Sequence, residues 1–107
     1  MEETVLVYTT WPSAGEAEAA GRLLVEAKLC ACANVLPGMV SVYSWEGKVE
    51  RGEEAVMILK TRRGRAAELM EAVRTAHPYD IPAIIELPVT AIDPRYGAWI
   101  AAETGAG

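Results

Sequence analysis

The sequence predicts an α+β fold in which two helices cover one face of a four-stranded antiparallel sheet. The chain has 107 residues, about half of them apolar, which is enough for a two-layer core without metal or disulfide support. Its patterns run strand, helix, strand, strand, helix, strand, followed by a further C-terminal helix. Two right-handed crossovers joined by a hairpin give the split βαβ, or ferredoxin-like, sandwich. We therefore expect residues 1–107 to form a single domain.

The first strand and the first helix have clear boundaries. Residues 4–10 are rich in β-branched and aromatic side chains, and Pro12 lies just beyond them. Ser13 and Glu16 have the spacing of a capping box, which predicts a helix that begins there and ends near Lys28. The residues expected on its buried face are Ala17, Ala20, Leu24 and Ala27.

The middle of the chain predicts a long hairpin. Residues 30–45 read as a strand that is interrupted at Pro37-Gly38, where a bulge is expected. Glu46-Gly47 predicts the turn. The returning strand covers residues 48–50 and 55–61, and its nearly continuous apolar centre predicts burial on both faces.

The second half predicts a helix, an edge strand and a terminal helix. A helix follows Gly64 and ends before Pro78. Its buried face is expected to contain Ala66, Leu69, Met70, Val73 and His77. Residues 83–89 read as a strand, which Pro88 places at a sheet edge because proline has no N–H to donate. Residues 93–103 predict a helix capped at Asp93-Pro94. One face of this last helix would present Tyr96, Trp99 and Ile100.

Charge and composition narrow the partners. Fifteen acidic and ten basic side chains give a net charge of −5, which argues against nucleic acid and anionic membranes as partners. No apolar run approaches the roughly 20 residues that cross a bilayer, and the start is acidic, so we expect a cytoplasmic protein. Cys30 and Cys32, two apart on the predicted strand, are expected to remain thiols that share one side of it.

Enzyme signatures fit poorly. The chain has no nucleophile elbow, phosphate-binding loop or zinc-protease helix. Paired carboxylates occur only at Glu53-Glu54, in a predicted solvated turn, and the third strand lacks the aromatic platform of an RNA-binding sheet. These absences favour a binding protein over an enzyme.

Several motifs together resemble the CutA family of divalent-cation tolerance proteins, along essentially the whole chain. They are Thr9-Thr10 with Pro12, the segments 29–34, 37–38 and 41–47, Ile58-Leu59-Lys60-Thr61, His77-Pro78-Tyr79-Asp80-Ile81-Pro82, and Tyr96 with Trp99. The resemblance implies a ferredoxin-like protomer in a tight homotrimer, similar in shape to the PII signalling proteins. It also implies a small pocket between subunits and a role in tolerance of copper or other divalent metals.

The chain departs from the family pattern at residues that matter for metal. Ala83 stands where family members usually carry Glu after the second proline of the His-Pro-Tyr motif. The copper ligands described for some members correspond here to Thr9, Ala76 and His77, so one of three remains. We therefore expect weak and unselective copper binding, with His77 as the one candidate metal ligand.

Six residues are candidates for the ligand pocket, and four of them have a structural alternative. They are Cys32, Trp45, Lys60, His77, Tyr79 and Asp80. Cys32 would otherwise be a small buried hydrophobe. His77 would be a charged cap at the end of its helix. Lys60 would extend from the strand into water, or would receive a small anion together with Tyr79 and the amides at residues 37–39. Trp45 would pack in a subunit interface.

The preferred interpretation is a non-catalytic homotrimer that binds a divalent metal ion or a small anion weakly at intersubunit clefts. No cofactor is required, although copper or another divalent cation would be the ligand of a tolerance protein. The alternative is a trimeric scaffold or signalling module that binds partner proteins, with a purely structural pocket. A hydrolase or isomerase that uses Lys60 and Asp80 is the third possibility.

Overall fold

A computed structural model of the chain describes residues 3–105, which form four strands and three helices. The elements are β1 (Thr4–Trp11), α1 (Ala14–Glu26), β2 (Cys32–Trp45), β3 (Lys48–Arg62), α2 (Arg63–Ala76), β4 (Ile84–Pro88) and α3 (Pro94–Glu103). The predicted ferredoxin-like α+β class is confirmed. The predicted helix starts are also confirmed at two caps, because the Ser13 and Asp93 side chains accept hydrogen bonds from backbone amides of α1 and α3.

The sheet is antiparallel in the order β2-β3-β1-β4, so β2 and β4 are its edges. β4 pairs only with β1 among the described strands, and Pro88 lies opposite Val5. The predicted edge position of this strand is confirmed, and proline is tolerated there because an edge strand has one side without partners. In β2 the register with β3 shifts between Leu36 and Met39, so the predicted bulge at Pro37-Gly38 is confirmed.

The core lies between the sheet and the pair α1 and α2. Its sheet side is formed by alternate residues of β1 and β3, and its helix side by small and aliphatic residues. The core members are Val7, Trp11, Ala17, Ala20, Leu24, Cys30, Ala55, Met57, Leu59, Leu69 and Val73. The prediction for Ala27 is wrong, because α1 ends at Glu26 and Ala27 is exposed. Gly21 is buried instead, at a close approach of α1 to the sheet: a Cβ there would lie 2.8 Å from the Met57 sulfur.

The opposite face of the sheet, which we call the open face, is only partly covered. In β3, Ala55, Met57, Leu59 and Thr61 are buried, whereas Val56, Ile58 and Lys60 remain partly exposed, so the predicted burial of this strand on both faces is wrong for the single chain. α3 covers one end of the open face, where Ile100 is buried. The other two residues predicted on its inner face, Tyr96 and Trp99, stay partly exposed and stack on each other at 5.6 Å.

Beyond the bulge the hairpin extends past the rest of the sheet. β1 stops pairing with β3 at Ala55, so residues 39–54, which we call the ribbon, form a two-stranded arm. The arm lengthens the molecule to 47 Å along its longest axis. Its turn at Glu46 and Gly47 has φ values of 49° and 80°, as a two-residue hairpin turn requires. The predicted hairpin turn is therefore confirmed.

The two cysteines do not share a strand. β2 begins at Cys32, and Cys30 lies before it, 1% exposed in the core. Burial, with a smaller effect from Cys32, raises the pKa of the Cys30 thiol from 9.0 to about 12. Both are free thiols. The expectation that their sulfurs lie on the same side of a strand is wrong, because Cys30 precedes β2 and is buried in the core.

Candidate functional site

An open groove of about 1020 Å³ lies between the ribbon and the segment that follows α2. The strands of the ribbon form one wall, residues 78–83 form the other, and β1 contributes Tyr8 and Thr10. Three of the six predicted pocket residues line it, namely Trp45, Tyr79 and Asp80. The groove exists because the ribbon extends beyond the sheet, which leaves a concave corner where β1 ends.

His77 lies beneath this groove and is 8% exposed. Its Nε2 is 2.6 Å from the carbonyl oxygen of Thr10, and its Nδ1 is 3.1 Å from the backbone nitrogen of Tyr79. A carbonyl can only accept and a backbone N–H can only donate, so Nε2 carries the hydrogen and Nδ1 uses its lone pair. The ring is therefore a fixed link between β1 and the segment after α2. His77 is also the C-cap residue of α2, the structural position predicted as the alternative to a ligand role, and the charge on that cap stays a prediction.

A stack of rings connects His77 to the core and to the groove. The His77 centroid lies 4.3 Å from that of Trp11 and 4.8 Å from that of Tyr79. The Trp11 indole donates to the Thr9 hydroxyl at 2.7 Å, and that hydroxyl donates to the Met57 carbonyl at 2.8 Å. These contacts fix the groove wall at residue 79 to the buried sheet.

The Tyr79 side chain extends from the wall formed by residues 78–83 to the ribbon. Its hydroxyl donates to the Glu54 carboxylate at 3.2 Å. Partial burial, followed by the negative charge of Glu54, raises the pKa of Tyr79, so the phenol stays protonated and continues to donate. The contact orients the Glu54 carboxylate at the groove.

The groove has a strongly one-sided charge. Its lining includes the carboxylates of Glu53, Glu54 and Asp80, and no lysine, arginine or histidine lines it among residues 3–105. Glu53 is paired with Arg51 at 3.5 Å, so Glu54 and Asp80 carry most of the negative charge of the groove. With a net charge of −5 on the whole chain, the groove is a region of negative potential. A free anion is disfavoured there.

Lys60 and Cys32 lie in a separate place on the open face. The Lys60 ammonium donates to the Tyr96 hydroxyl at 3.0 Å and lies 5.2 Å from the centre of that ring. The hydrogen bond to Tyr96 raises the pKa of Lys60, against a smaller opposing effect of burial. Cys32 is the cross-strand partner of Lys60. Lys60 lies six positions after Glu54 in β3, about 20 Å along an extended strand. The structure therefore does not bring Lys60 and Tyr79 together around a small anion within one chain.

The residues present do not fit a resident transition-metal site on one chain. Both ring nitrogens of His77 already have partners, and Cys32 lies 3.6 Å from the Asn34 side-chain oxygen. In the described part of the chain no three His, Cys, Asp or Glu side chains are grouped so as to hold a metal ion. Binding through His77 would require breaking a buried hydrogen bond.

Sequence reasoning missed Glu54, Tyr8 and Tyr43 as groove residues. Glu53-Glu54 was expected in a solvated turn, but both residues lie within β3, opposite Val40 and Met39. The available signal was the bulge itself, because an irregular register in a long hairpin changes which side chains face the concave side.

The fold and the groove together define a ferredoxin-like protein with a protruding ribbon and an aromatic, acidic binding groove. The family model described as "CutA1 divalent ion tolerance protein" matches residues 5–103, so the chain belongs to the CutA1 family. The resemblance identified from the sequence motifs is confirmed.

Similar proteins span bacteria and plants. The divalent-cation tolerance protein CutA of Thermus thermophilus is 38% identical over 105 residues, which cover 98% of this chain and 100% of that protein. The chloroplastic CutA protein of Arabidopsis thaliana is 39% identical over 97 residues, covering 91% of this chain and 53% of that protein. The chain thus spans about half the length of the plant relative. The crystal structure of CutA1 from Ehrlichia chaffeensis superposes with a TM-score of 0.94 at 34% identity, and 98% of each chain is covered.

The helices between residues 3 and 105 are all too short or too polar to span a bilayer.

Proposed function

We propose that the chain acts in divalent-cation tolerance as a non-catalytic homotrimer that holds a metal ion or a small ligand weakly in the groove, at a cleft between subunits. The observation that carries this proposal is the position of the groove, which opens beside a ribbon whose apolar side chains remain exposed within residues 3–105. A second subunit that covered the ribbon would also border the groove.

The need for cover follows from the ribbon's exposed apolar side chains. Val40 is 48% exposed, Val42 69%, Trp45 51% and Val49 79%. A two-stranded hairpin is marginally stable in water, and one that exposes this much apolar surface favours association. Copies of the same chain around a threefold axis would bury all three ribbons in equivalent contacts. Trp45 would then serve both the interface and the groove.

Metal binding in the groove would be weak because the donors are few. The Glu54 and Asp80 carboxylates are available, whereas His77 is engaged in hydrogen bonds. Two carboxylates leave most coordination positions to water, so copper or another divalent cation would bind with a dissociation constant on the order of micromolar or weaker. Little selectivity among divalent cations would follow.

We further propose a cytoplasmic location, which is compatible with the free thiols of Cys30 and Cys32. The name of the Arabidopsis relative places that protein in the chloroplast. The alternative function, a trimeric scaffold for partner proteins, is favoured by one observation, the exposure of Val42 and Val49 far along the ribbon.

Sedimentation equilibrium and metal titration test the proposal. At micromolar protein we expect a particle of three times the 11.5 kDa chain mass, and Cu²⁺ or Zn²⁺ binding that weakens in Asp80→Asn. Glu103→Gln, on α3, is the control with the same change in charge and should leave binding unchanged. An 11.5 kDa monomer would contradict the assembly. A trimer without saturable binding would contradict the ligand function and support the scaffold.

A further inference from the structure

The groove is lined by two kinds of side chain, aromatic rings and carboxylates, which attract a cation through different forces. Aromatic rings of Tyr43, Trp45 and Tyr79 line it, and the carboxylates of Glu54 and Asp80 lie among them. Ring faces attract a cation through the negative side of their quadrupole, and carboxylates attract it through charge. Both kinds of group therefore favour positive charge in the same space.

One of the rings is held in place by two contacts. The Tyr79 ring lies against His77 at an interplanar angle of 51°, and its hydroxyl is hydrogen-bonded to Glu54. The Tyr43 ring lies beside Gly52, two positions before Glu54. A site built from such restrained side chains loses little conformational entropy when a ligand binds.

The other ligand classes use this lining less well. An anion meets carboxylates and no basic side chain among the described residues of the groove. A bare divalent metal ion uses the carboxylates and leaves the rings without a role. A neutral apolar ligand uses the rings but strips water from Glu54 and Asp80, which is unfavourable for charged groups.

We propose that this groove binds an organic ammonium cation, with its alkyl body against Tyr43 and Tyr79 and its charge near Glu54 and Asp80. This site rests on the proposed function, because it is the same groove in which that function places a ligand. The new element is the chemical class of the ligand. The volume of about 1020 Å³ accommodates a small amine or a short polyamine. Because the groove is open and its carboxylates are hydrated, a single quaternary ammonium ion should bind with a dissociation constant of about 1 mM.

The experiment is an NMR titration of the purified full chain in low salt with tetramethylammonium and with 1,4-diaminobutane. The neutral comparison compound is tert-butyl alcohol, which has a similar shape without the charge. We expect saturable shifts of groove resonances with both cations, a tighter apparent affinity for the dication, and no saturable shifts with the alcohol.

Two variants separate the aromatic from the electrostatic contribution. Tyr43→Leu should weaken tetramethylammonium binding about three- to tenfold. Glu54→Gln should weaken the binding of tetramethylammonium and of 1,4-diaminobutane up to about fivefold. The matched controls are Trp99→Leu and Glu103→Gln on α3, which remove an exposed indole and a carboxylate outside the groove. Both controls should leave the affinities for tetramethylammonium and 1,4-diaminobutane unchanged.

The outcomes distinguish this inference from the proposed function. Equal binding of tert-butyl alcohol, tighter binding of acetate than of tetramethylammonium, or no response to either cation would overturn the ammonium site, even with the trimer and its metal binding intact. If Tyr43→Leu fails to assemble in sedimentation, Glu54→Gln decides instead, and unchanged cation affinity in that variant overturns the inference. Loss of the trimer in the parent protein would contradict the proposed function separately.

Discussion

Replacement of His77 tests whether this residue is a structural element or a metal ligand. In the structure its ring joins β1 to the segment after α2 through two hydrogen bonds, and it packs between Trp11 and Tyr79. His77→Ala would leave the Thr10 carbonyl without this partner, remove an acceptor from the Tyr79 amide, and take away the ring contact with Trp11. These effects should lower stability rather than only alter a binding site.

The expected loss can be estimated from those three contacts. Loss of the His77 partner of the buried Thr10 carbonyl costs about 1–2 kcal/mol. The Tyr79 amide is partly exposed and water can reach it, so the loss of its acceptor costs less than about 1 kcal/mol. The lost ring contact with Trp11 costs about 0.5–1 kcal/mol. The sum is about 3 kcal/mol, or roughly a hundredfold in the unfolding equilibrium. His77→Phe keeps a ring against Trp11 but loses both hydrogen bonds, so it should lose about 2 kcal/mol.

Urea unfolding followed by tryptophan fluorescence measures this loss. Parent and variants are compared at one protein concentration, because the stability of an oligomer depends on it. The matched control is Asp80→Ala, an exposed residue three positions later whose replacement should change stability by less than about 0.5 kcal/mol. A His77→Ala protein as stable as the parent that has lost Cu²⁺ binding would refute the reasoning, because it would mean that His77 is a ligand and not a structural link.

The remaining predictions concern packing, thiol chemistry and heat. Gly21→Ala should destabilise the protein by about 1–2 kcal/mol although alanine favours helices, because the new Cβ would lie 2.8 Å from the Met57 sulfur. Gly15→Ala is the control: its Cβ would lie 4.0 Å from the Ser13 hydroxyl, so it should be neutral or stabilising by up to about 1 kcal/mol. Thermal melts of the two variants check this difference. Iodoacetamide should alkylate partly exposed Cys32 and leave Cys30 unmodified in the folded protein, as peptide mass mapping would show. Equal labelling would contradict the burial of Cys30. Because the folded state raises the pKa of Cys30 from 9.0 to about 12, it holds that proton more tightly than the unfolded chain, so unfolding free energy should fall as pH rises from 9 to 12, and Cys30→Ala should reduce this slope. The assembled protein should melt reversibly above about 60 °C, and a lower midpoint in calorimetry would count against a stabilising subunit interface.

Local patterns in the sequence were sufficient to predict the order and type of the elements. The Ser13 cap, the turn at Glu46-Gly47, the bulge after Leu36 and the edge position of Pro88 each depend on residues close together in the chain. Their backbone requirements, such as a left-handed turn or a missing N–H, leave few alternatives. For this reason these features were predictable without knowledge of the tertiary contacts.

The arrangement of the candidate site depended on contacts between distant residues. His77 meets Thr10 across 67 positions, and Tyr79 meets Glu54 across 25. Only the packed sheet sets such distances, and it also keeps Lys60 with Tyr96 and away from Tyr79. The family motif identified His77 as a ligand candidate, but its tautomer and the use of both ring nitrogens follow from the carbonyl and amide that the fold places against it.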